Sequence, residues 1–433
     1  MNSINPQPGR AGGGENGSPI RDAEIYEKYG RLINPAYPQY LKQLGIEQTA
    51  VRAEGAVITG SNGVLYIDCV GNYGLVNVGH NHPRVLHALR DQLDACSLIS
   101  KPLITEWQVR LAECLAEITP GGLACSFVCN SGSEAIDNAL KLARLQQRKK
   151  GIIAARNSFH GFTFGALSVS GVDTFRRLFE PLVPGVTFVP FGDLEALREA
   201  AGGDTAAVLL EIVQHESGVY LPPEGYFPEV RKLCGERGIL LILDEIKTGF
   251  GKTGTMFACE WQGIVPDILV LGKSMGGGLV PVGAVVASRE IWKRFGLSFP
   301  MSASSYGGNV LACRAALATV EVLREEGLLA ECPAKGRRLL DGLARHAAAY
   351  PEVIESVSGV GLLIGVQVRR PRKAGDLARA MIQRGVLAVP AFGNPSVLMI
   401  EPPLVITREQ IDRVVEAFQE GCEESGNNQG IRI

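Results

Sequence analysis

The chain has 433 residues and a mass of 46.3 kDa, too long for one compact core, so at least two domains are expected. Hydrophobic residues make up 46% and charged residues 20%, ordinary globular proportions that argue against bulk disorder or an extended coiled coil. A net charge of −2 and a pI near 6.4 give no electrostatic basis for a nucleic-acid or membrane partner, which leaves a small molecule as the expected ligand.

Residues 1–20, rich in Gly, Asn, Ser and Pro, are expected to form a flexible tail, because they hold too little apolar surface to offset the entropy of ordering. No secretory signal order and no apolar stretch of bilayer length stands in the sequence, which points to a cytoplasmic location. From Glu54, "AVITG" and "VLYIDCV" flank the turn signal "SNG" and read as short strands, so residues 21–82 are expected to join the smaller domain.

Between Leu103 and Leu271, helical stretches alternate with the apolar runs "SFVCN", "GIIAAR", "AAVLLE", "ILLILDE" and "DILVLGK". That alternation predicts an α/β domain over 83–315, with a mostly parallel sheet covered on both faces. In "SEAIDNALKLARLQQRKK", Ala135, Ala139, Leu142 and Ala143 fall on one helical face, and "YFPEVRKLCGERG" ends on a helix-stopping glycine. From about Gly307 an Ala- and Leu-rich helix leaves this domain. Residues 316–426 then read as a smaller α+β domain, its strand, helix, strand, helix order falling on "GLLIGVQVR", "AGDLARAMIQRG", "VLMIEPPLVIT" and "REQIDRVVEAFQE", before a loose end at 427–433. The ten cysteines lack metal-type spacing and are expected as buried free thiols; His80 and His82 in "GHNHP" have no local acidic or thiolate ligand, so no metal is expected.

In open α/β sheets, ligands collect beyond the carboxyl ends of the strands. Glu211 closes "AAVLLE", Asp244 closes "ILLILD" and Lys273 follows "DILVLG", so three ionisable residues meet at one edge. The three glycines after Lys273 free the backbone and let a flat ligand approach. An imine-forming lysine needs a lowered pKa, which a desolvated site supplies, and a carboxylate such as Asp244 can keep a pyridinium nitrogen protonated. That pairing of lysine and carboxylate is the recurring one of pyridoxal 5'-phosphate (PLP) chemistry. Gly132 and Ser133 stand at a strand-to-helix junction suited to a phosphate, although the same pattern is an ordinary helix cap. Phe159 offers a ring to stack on a planar cofactor, with His160 beside it.

Taken in order, "YIDCVGNYGLVNVGHNHP", "NSGSEAIDNALKLAR", "FHG", "LPPEGYFPEVRKLC", "LILDEIKTGFGKTGTMFACE", "PDILVLGKSMGGGLVPVGA" and "SSYGGNVLACRAALATVEVL" resemble the class III aminotransferases of PLP fold type I, over about residues 50–420. "YIDCVGNYGLVNVGH" and "IEPPL" are most similar to the putrescine aminotransferase group. The resemblance implies Lys273 as imine lysine and proton shuttle, Asp244 on the pyridine nitrogen, Gly132 and Ser133 on the phosphate and Phe159 on the ring, with His160 and Glu211 beside them. It implies Ser305 reaching the phosphate of the neighbouring subunit in a homodimer, and Tyr73, Glu216 and position 399 around the substrate. Two departures stand out. Lys247 replaces a family glutamine on the cofactor's phenolic oxygen, where an ammonium would stabilise the phenolate unless the lysine is displaced into solvent. Met399 replaces an arginine that grips a substrate carboxylate and pairs with the glutamate at Glu216, while His215 replaces a glycine. An amine donor is therefore expected in preference to an ordinary α-amino acid. The leading expectation is amino transfer through Schiff-base and ketimine intermediates; racemisation, decarboxylation or carbon–carbon bond formation on the same cofactor, and a non-catalytic scaffold, are the alternatives.

Overall fold

The computed structural model describes residues 21–99, 102–296 and 303–427; the tail expected at 1–20 lies outside them, as does the loose end expected at 427–433 except for Asn427, which closes the helix Arg408–Asn427. Near the N-terminus β1 (Ala50–Glu54), β2 (Val57–Gly60) and β3 (Leu65–Asp68) form an antiparallel meander. The central sheet contains β4 (Leu123–Cys129), β5 (Gly151–Ala155), β6 (Val186–Val189), β7 (Thr205–Glu211), β8 (Leu240–Asp244), β9 (Ile268–Leu271) and β10 (Gly283–Ser288), in the order β4-β10-β9-β8-β7-β5-β6. From β6 to β9 neighbouring strands are parallel, and β10 runs antiparallel to both β9 and β4.

This sheet is covered on both faces because its strands are apolar at most positions, and the period of two sends alternate residues to opposite sides. Ile152, Leu209 and Ile242 pack in one core with Ala135, Ala139 and Leu142 of the helix Gly132–Gln147. Ile153, Val208, Leu210, Leu241 and Leu243 belong to the other, with Ala312, Ala315 and Ala316 of the helix Val310–Glu325. The first helix starts where the Ser131 hydroxyl accepts the Glu134 N–H at 3.2 Å and stops at Arg148, whose φ is +54°.

After two long helices, Val310–Glu325 and Leu328–Ala349, the chain forms β11 (Ile354–Val360), β12 (Leu363–Val368), β13 (Val386–Leu387), β14 (Val389–Pro390) and β15 (Val397–Ile400). The expected order of strand, helix, strand, helix is therefore too simple. "GLLIGVQVR" is the second arm of a hairpin, and the second expected strand is preceded by β13 and β14. The strands β11, β12, β15 and β14 make one antiparallel sheet, whereas β13 leaves it to pair in parallel with β3, so early and late parts of the chain share a sheet. No helix among the described residues is long and apolar enough to cross a membrane.

Candidate active site

The strand register brings the ionisable residues to one edge. Glu211 of β7 stands opposite Asp244 of β8, Asp244 stands opposite Val270 of β9, and Lys273 follows three residues later. A cavity of about 130 Å³ opens there, lined by Gly132, Ser133, Phe159, His160, Asp244 and Lys273, with Ser131, Gly161, His215 and Ile246 completing the wall. Six of the expected cofactor residues thus meet; Glu211, Lys247 and Ser305 do not border this space.

Asp244 is 5% exposed, and both of its oxygens are engaged. Oδ2 accepts from His160 Nδ1 at 2.7 Å, and Oδ1 accepts the Ile246 N–H at 2.9 Å. A carboxylate only accepts, so His160 carries its proton on Nδ1. Ser170 Oγ holds the His160 N–H at 2.9 Å, which keeps the imidazole aimed at Asp244, while Nε2 is buried without a partner.

Lys273 has φ +44°, a strained value for a residue with a side chain, and strain of this kind gathers at functional sites. Its side chain keeps some accessible surface because it borders the cavity, yet protein surrounds it. Burial first, and then the Lys247 ammonium, hold its amine down at about 8, against the opposing pull of Glu216, Glu401 and Asp244. Two of the three glycines that follow have the backbone freedom expected of them, but what approaches them is protein. Gly277 and Gly278 have φ of +62° and +74°, and a Cβ on them would meet Thr319 Oγ1 at 2.7 Å and Val76 Cγ1 at 2.5 Å. They admit a turn and close protein packing rather than a flat ligand.

The anion end of the cavity lies at the start of the helix Gly132–Gln147. The Ser131 hydroxyl is spent on the cap, and the first-turn N–H groups at Gly132 and Ser133 have no acceptor within the helix. Gly161 is needed here, since a Cβ would stand 2.0 Å from Ser133 Oγ. The "FHG" motif thus supplies three things: the Phe159 ring, the Asp244 partner His160 and room for the Ser133 hydroxyl. Phe159 is braced edge-on by Phe162 and Phe175 at centroid distances of 5.1 and 5.8 Å. Helix N–H groups and a hydroxyl, a carboxylate and a primary amine around one cavity suit the phosphate, ring nitrogen and aldehyde of PLP.

Glu211 lies behind the cavity wall. Its Oε2 accepts the Phe159 N–H at 3.2 Å, and Oε1 is 2.8 Å from His215 Nδ1, an ion-pair contact off the line of a hydrogen bond. His215 Nε2 reaches Glu216 Oε1 at 3.5 Å. Burial and the Lys273 charge push the imidazole down, but Glu211 and Glu216 outweigh them and raise it. Burial likewise pushes Glu216 up, whereas the close His215 imidazole, then the Lys273 and Lys247 charges, hold its carboxyl at about 2. In the sequence His215 stands out only as a replaced glycine, and the spacing of "EIVQHE" is the one local sign of its place between two carboxylates.

Lys247 is not in solvent. It is 3% exposed and its ammonium contacts the buried carboxylate of Glu401, the glutamate of "IEPPL", which no local pattern marks as its partner. Met399 sits in β15 at 6% exposure, opposite Gly365 of β12. Tyr73 has φ +59° and packs on Phe392 with ring centroids 5.3 Å apart. Ser305 is exposed, on the segment where Ser304 Oγ accepts from Asn130 Nδ2 at 2.8 Å. His80 is tied to Asp68 at 2.8 Å and His82 to Glu326 at 3.2 Å, and no group of metal-binding residues occurs among the described residues.

The family model for class-III aminotransferases matches residues 42–421. Among solved structures, ornithine aminotransferase from Toxoplasma gondii ME49 superposes with a TM-score of 0.88 at 28% identity, covering 95% of this chain and 97% of its own. An (S)-enantioselective omega-transaminase from Thermomicrobium roseum gives 0.87 at 29% identity, with 94% and 100% covered. Acetylornithine aminotransferase from Elizabethkingia anophelis gives 0.81 at 29% identity, again with 94% and 100% covered. With the fold, the cavity and the family agreeing, the chain belongs to the class-III aminotransferases and is a PLP-dependent aminotransferase.

Proposed function

We propose that Lys273 is the imine lysine of this enzyme, Asp244 the partner of the ring nitrogen, Gly132 and Ser133 the phosphate cradle, and Phe159 the stacking ring. The observation that supports this most is the single cavity on which those five residues converge. PLP, when bound, supplies an aldehyde for the donor's amino group and a ring that draws electrons from the adjoining carbon. The chain's own residues do the rest. Lys273 Nζ, held near 8, is partly neutral around neutral pH and takes a proton from the donor carbon before returning it. His160 keeps Asp244 aligned through a 2.7 Å bond, and Glu211 fixes the Phe159 backbone. Replacing Lys273 with alanine should abolish turnover; transamination at the wild-type rate would overturn this assignment.

The donor is an amine rather than an α-amino acid, with putrescine-type diamines as the leading class. Met399 has no charge to offer a carboxylate, and the buried Glu216, held low, presents a negative group. A screen of diamines, monoamines and α-amino acids tests this, and a clear preference for α-amino acids would refute it. A homodimer with shared sites is supported by exposed Ser305 and by large exposed apolar side chains such as Ile104 (86%), Phe162 (60%) and Phe164 (62%). Sedimentation at working concentration is the check, and a monomer would count against it. A cytoplasmic location completes the proposal; cell fractionation tests it, and recovery in a membrane or secreted fraction would count against it.

A further inference from the structure

Two buried lysines leave the turn after β8 and end on one short segment after β15. The Lys247 ammonium contacts the Glu401 carboxylate, with the two side chains 3% and 1% exposed. Lys252 Nζ donates to Pro402 O at 3.0 Å and approaches Glu401 O at 3.4 Å. Glu401 is pinned from a third side, since its N–H donates to Cys69 O at 2.8 Å. The stem of Lys247 runs close to the Gly74 turn, where a Cβ would stand 3.0 Å from its Cδ. Its charge therefore has one fixed place. The register of β8 and β9 puts the two lysines on adjoining turns: Asp244 faces Val270, each lysine follows its strand position by three residues, and a Cβ on Gly272 would stand 3.4 Å from Ile246 Cγ2.

We propose that Lys247, clamped by Glu401, is a positioning residue for Lys273, a second cation that keeps the neighbouring amine available as a neutral nucleophile and base. The inference rests on Lys273 being the imine lysine. Two ammonium groups on adjoining desolvated turns repel, and the one without a dedicated carboxylate gives up its proton more readily. Lys247 has Glu401 in direct contact, so Lys273 is the group that yields. The other groups facing Lys273 are Asp244 from β8, His215 and Glu216 beyond β7, Glu401 beyond β15, and His160 beyond β5. Asp244, Glu216 and Glu401 favour its ammonium, while burial and Lys247 oppose it and win. A neutral glutamine at position 247 would lack this effect, so the lysine adjusts the reactive amine and is more than a packing substitution.

Competitive acylation of the full-length chain stripped of PLP, followed by peptide mapping across pH, reads the titration of Lys273 directly and without turnover. The wild-type midpoint is expected near 8. Lys247→Gln and Lys247→Met should each raise it by on the order of one unit, while Lys247→Arg should keep it. Glu401→Gln removes the clamp but not the cation and should lower the midpoint. A purely structural role would alter melting temperature and leave every midpoint in place; a folded Lys247→Gln chain with an unmoved midpoint overturns the proposal. If the Lys247 variants do not fold, a Glu401→Gln midpoint that stays or rises does the same. Should borohydride mapping of the PLP-loaded enzyme place the cofactor on another lysine, the parent assignment fails, and these midpoints still report whether the two amines are coupled.

Discussion

Replacing Asp244 with asparagine isolates one charge in the site while keeping its shape. The carboxylate is 5% exposed and makes two bonds, from His160 Nδ1 at 2.7 Å and from the Ile246 N–H at 2.9 Å. An asparagine carbonyl can keep the second bond. Its amide must then face His160, whose proton moves from Nδ1 to Nε2, a buried atom that has no other partner. The fold thus loses little, and the melting temperature should fall by no more than a few degrees. The cofactor's ring nitrogen loses its anion. A hydrogen bond to a charged group contributes about 1.5–3 kcal/mol, so PLP should bind about 10- to 150-fold more weakly at 1.36 kcal/mol per decade. The amino-transfer half-reaction should slow by at least that factor even with the site saturated, because the ring then draws electrons less strongly. Stopped-flow absorbance with excess PLP and a saturating donor measures the rate, and equilibrium dialysis measures the affinity. An Asp244→Asn enzyme that matches wild type in both would refute the role given to this carboxylate.

Two further predictions come from other parts of the site. Burial pushes the Glu245 carboxyl up to about 7 despite bonds from Thr248 and from the N–H groups of Ala258 and Cys259, against an ordinary value of 4.5. The folded state therefore binds this proton more tightly than the unfolded chain does. The resulting stability is complete below about pH 4.5 and is lost as pH rises through about 7, a change of about 3 kcal/mol that denaturant titrations should show and Glu245→Gln should remove. Met399→Arg should place a guanidinium near Glu216 and raise kcat/KM for α-amino acids relative to diamines by about tenfold or more, as one charge-assisted pair allows; an unchanged ratio would separate donor choice from position 399.

Much of the architecture was legible because the central strands are continuous apolar runs between helices, a pattern that burial on both faces imposes. Direction was not. "GAVVAS" is as apolar as its neighbours, and nothing in it announces that β10 runs antiparallel. The arm β11, "IESVSGV", is exposed or half-buried along most of its length and lacks an alternating pattern, which is why the hairpin with β12 escaped notice. At the site, strand ends located Glu211, Asp244 and Lys273, since short-range order and register are enough to put them on one edge. Partners set by tertiary packing were another matter. Lys247 and Glu401 are far apart in sequence, and no local rule joins them; Gly277 and Gly278 are likewise explained by Thr319 and Val76, which approach them from other elements.

The most direct test of the account is chemical. Borohydride treatment of the PLP-loaded enzyme, followed by proteolysis and mass spectrometry, should find the reduced cofactor on the Lys273 peptide and on no other. Label on a different lysine, or no label in enzyme that transaminates, would contradict it.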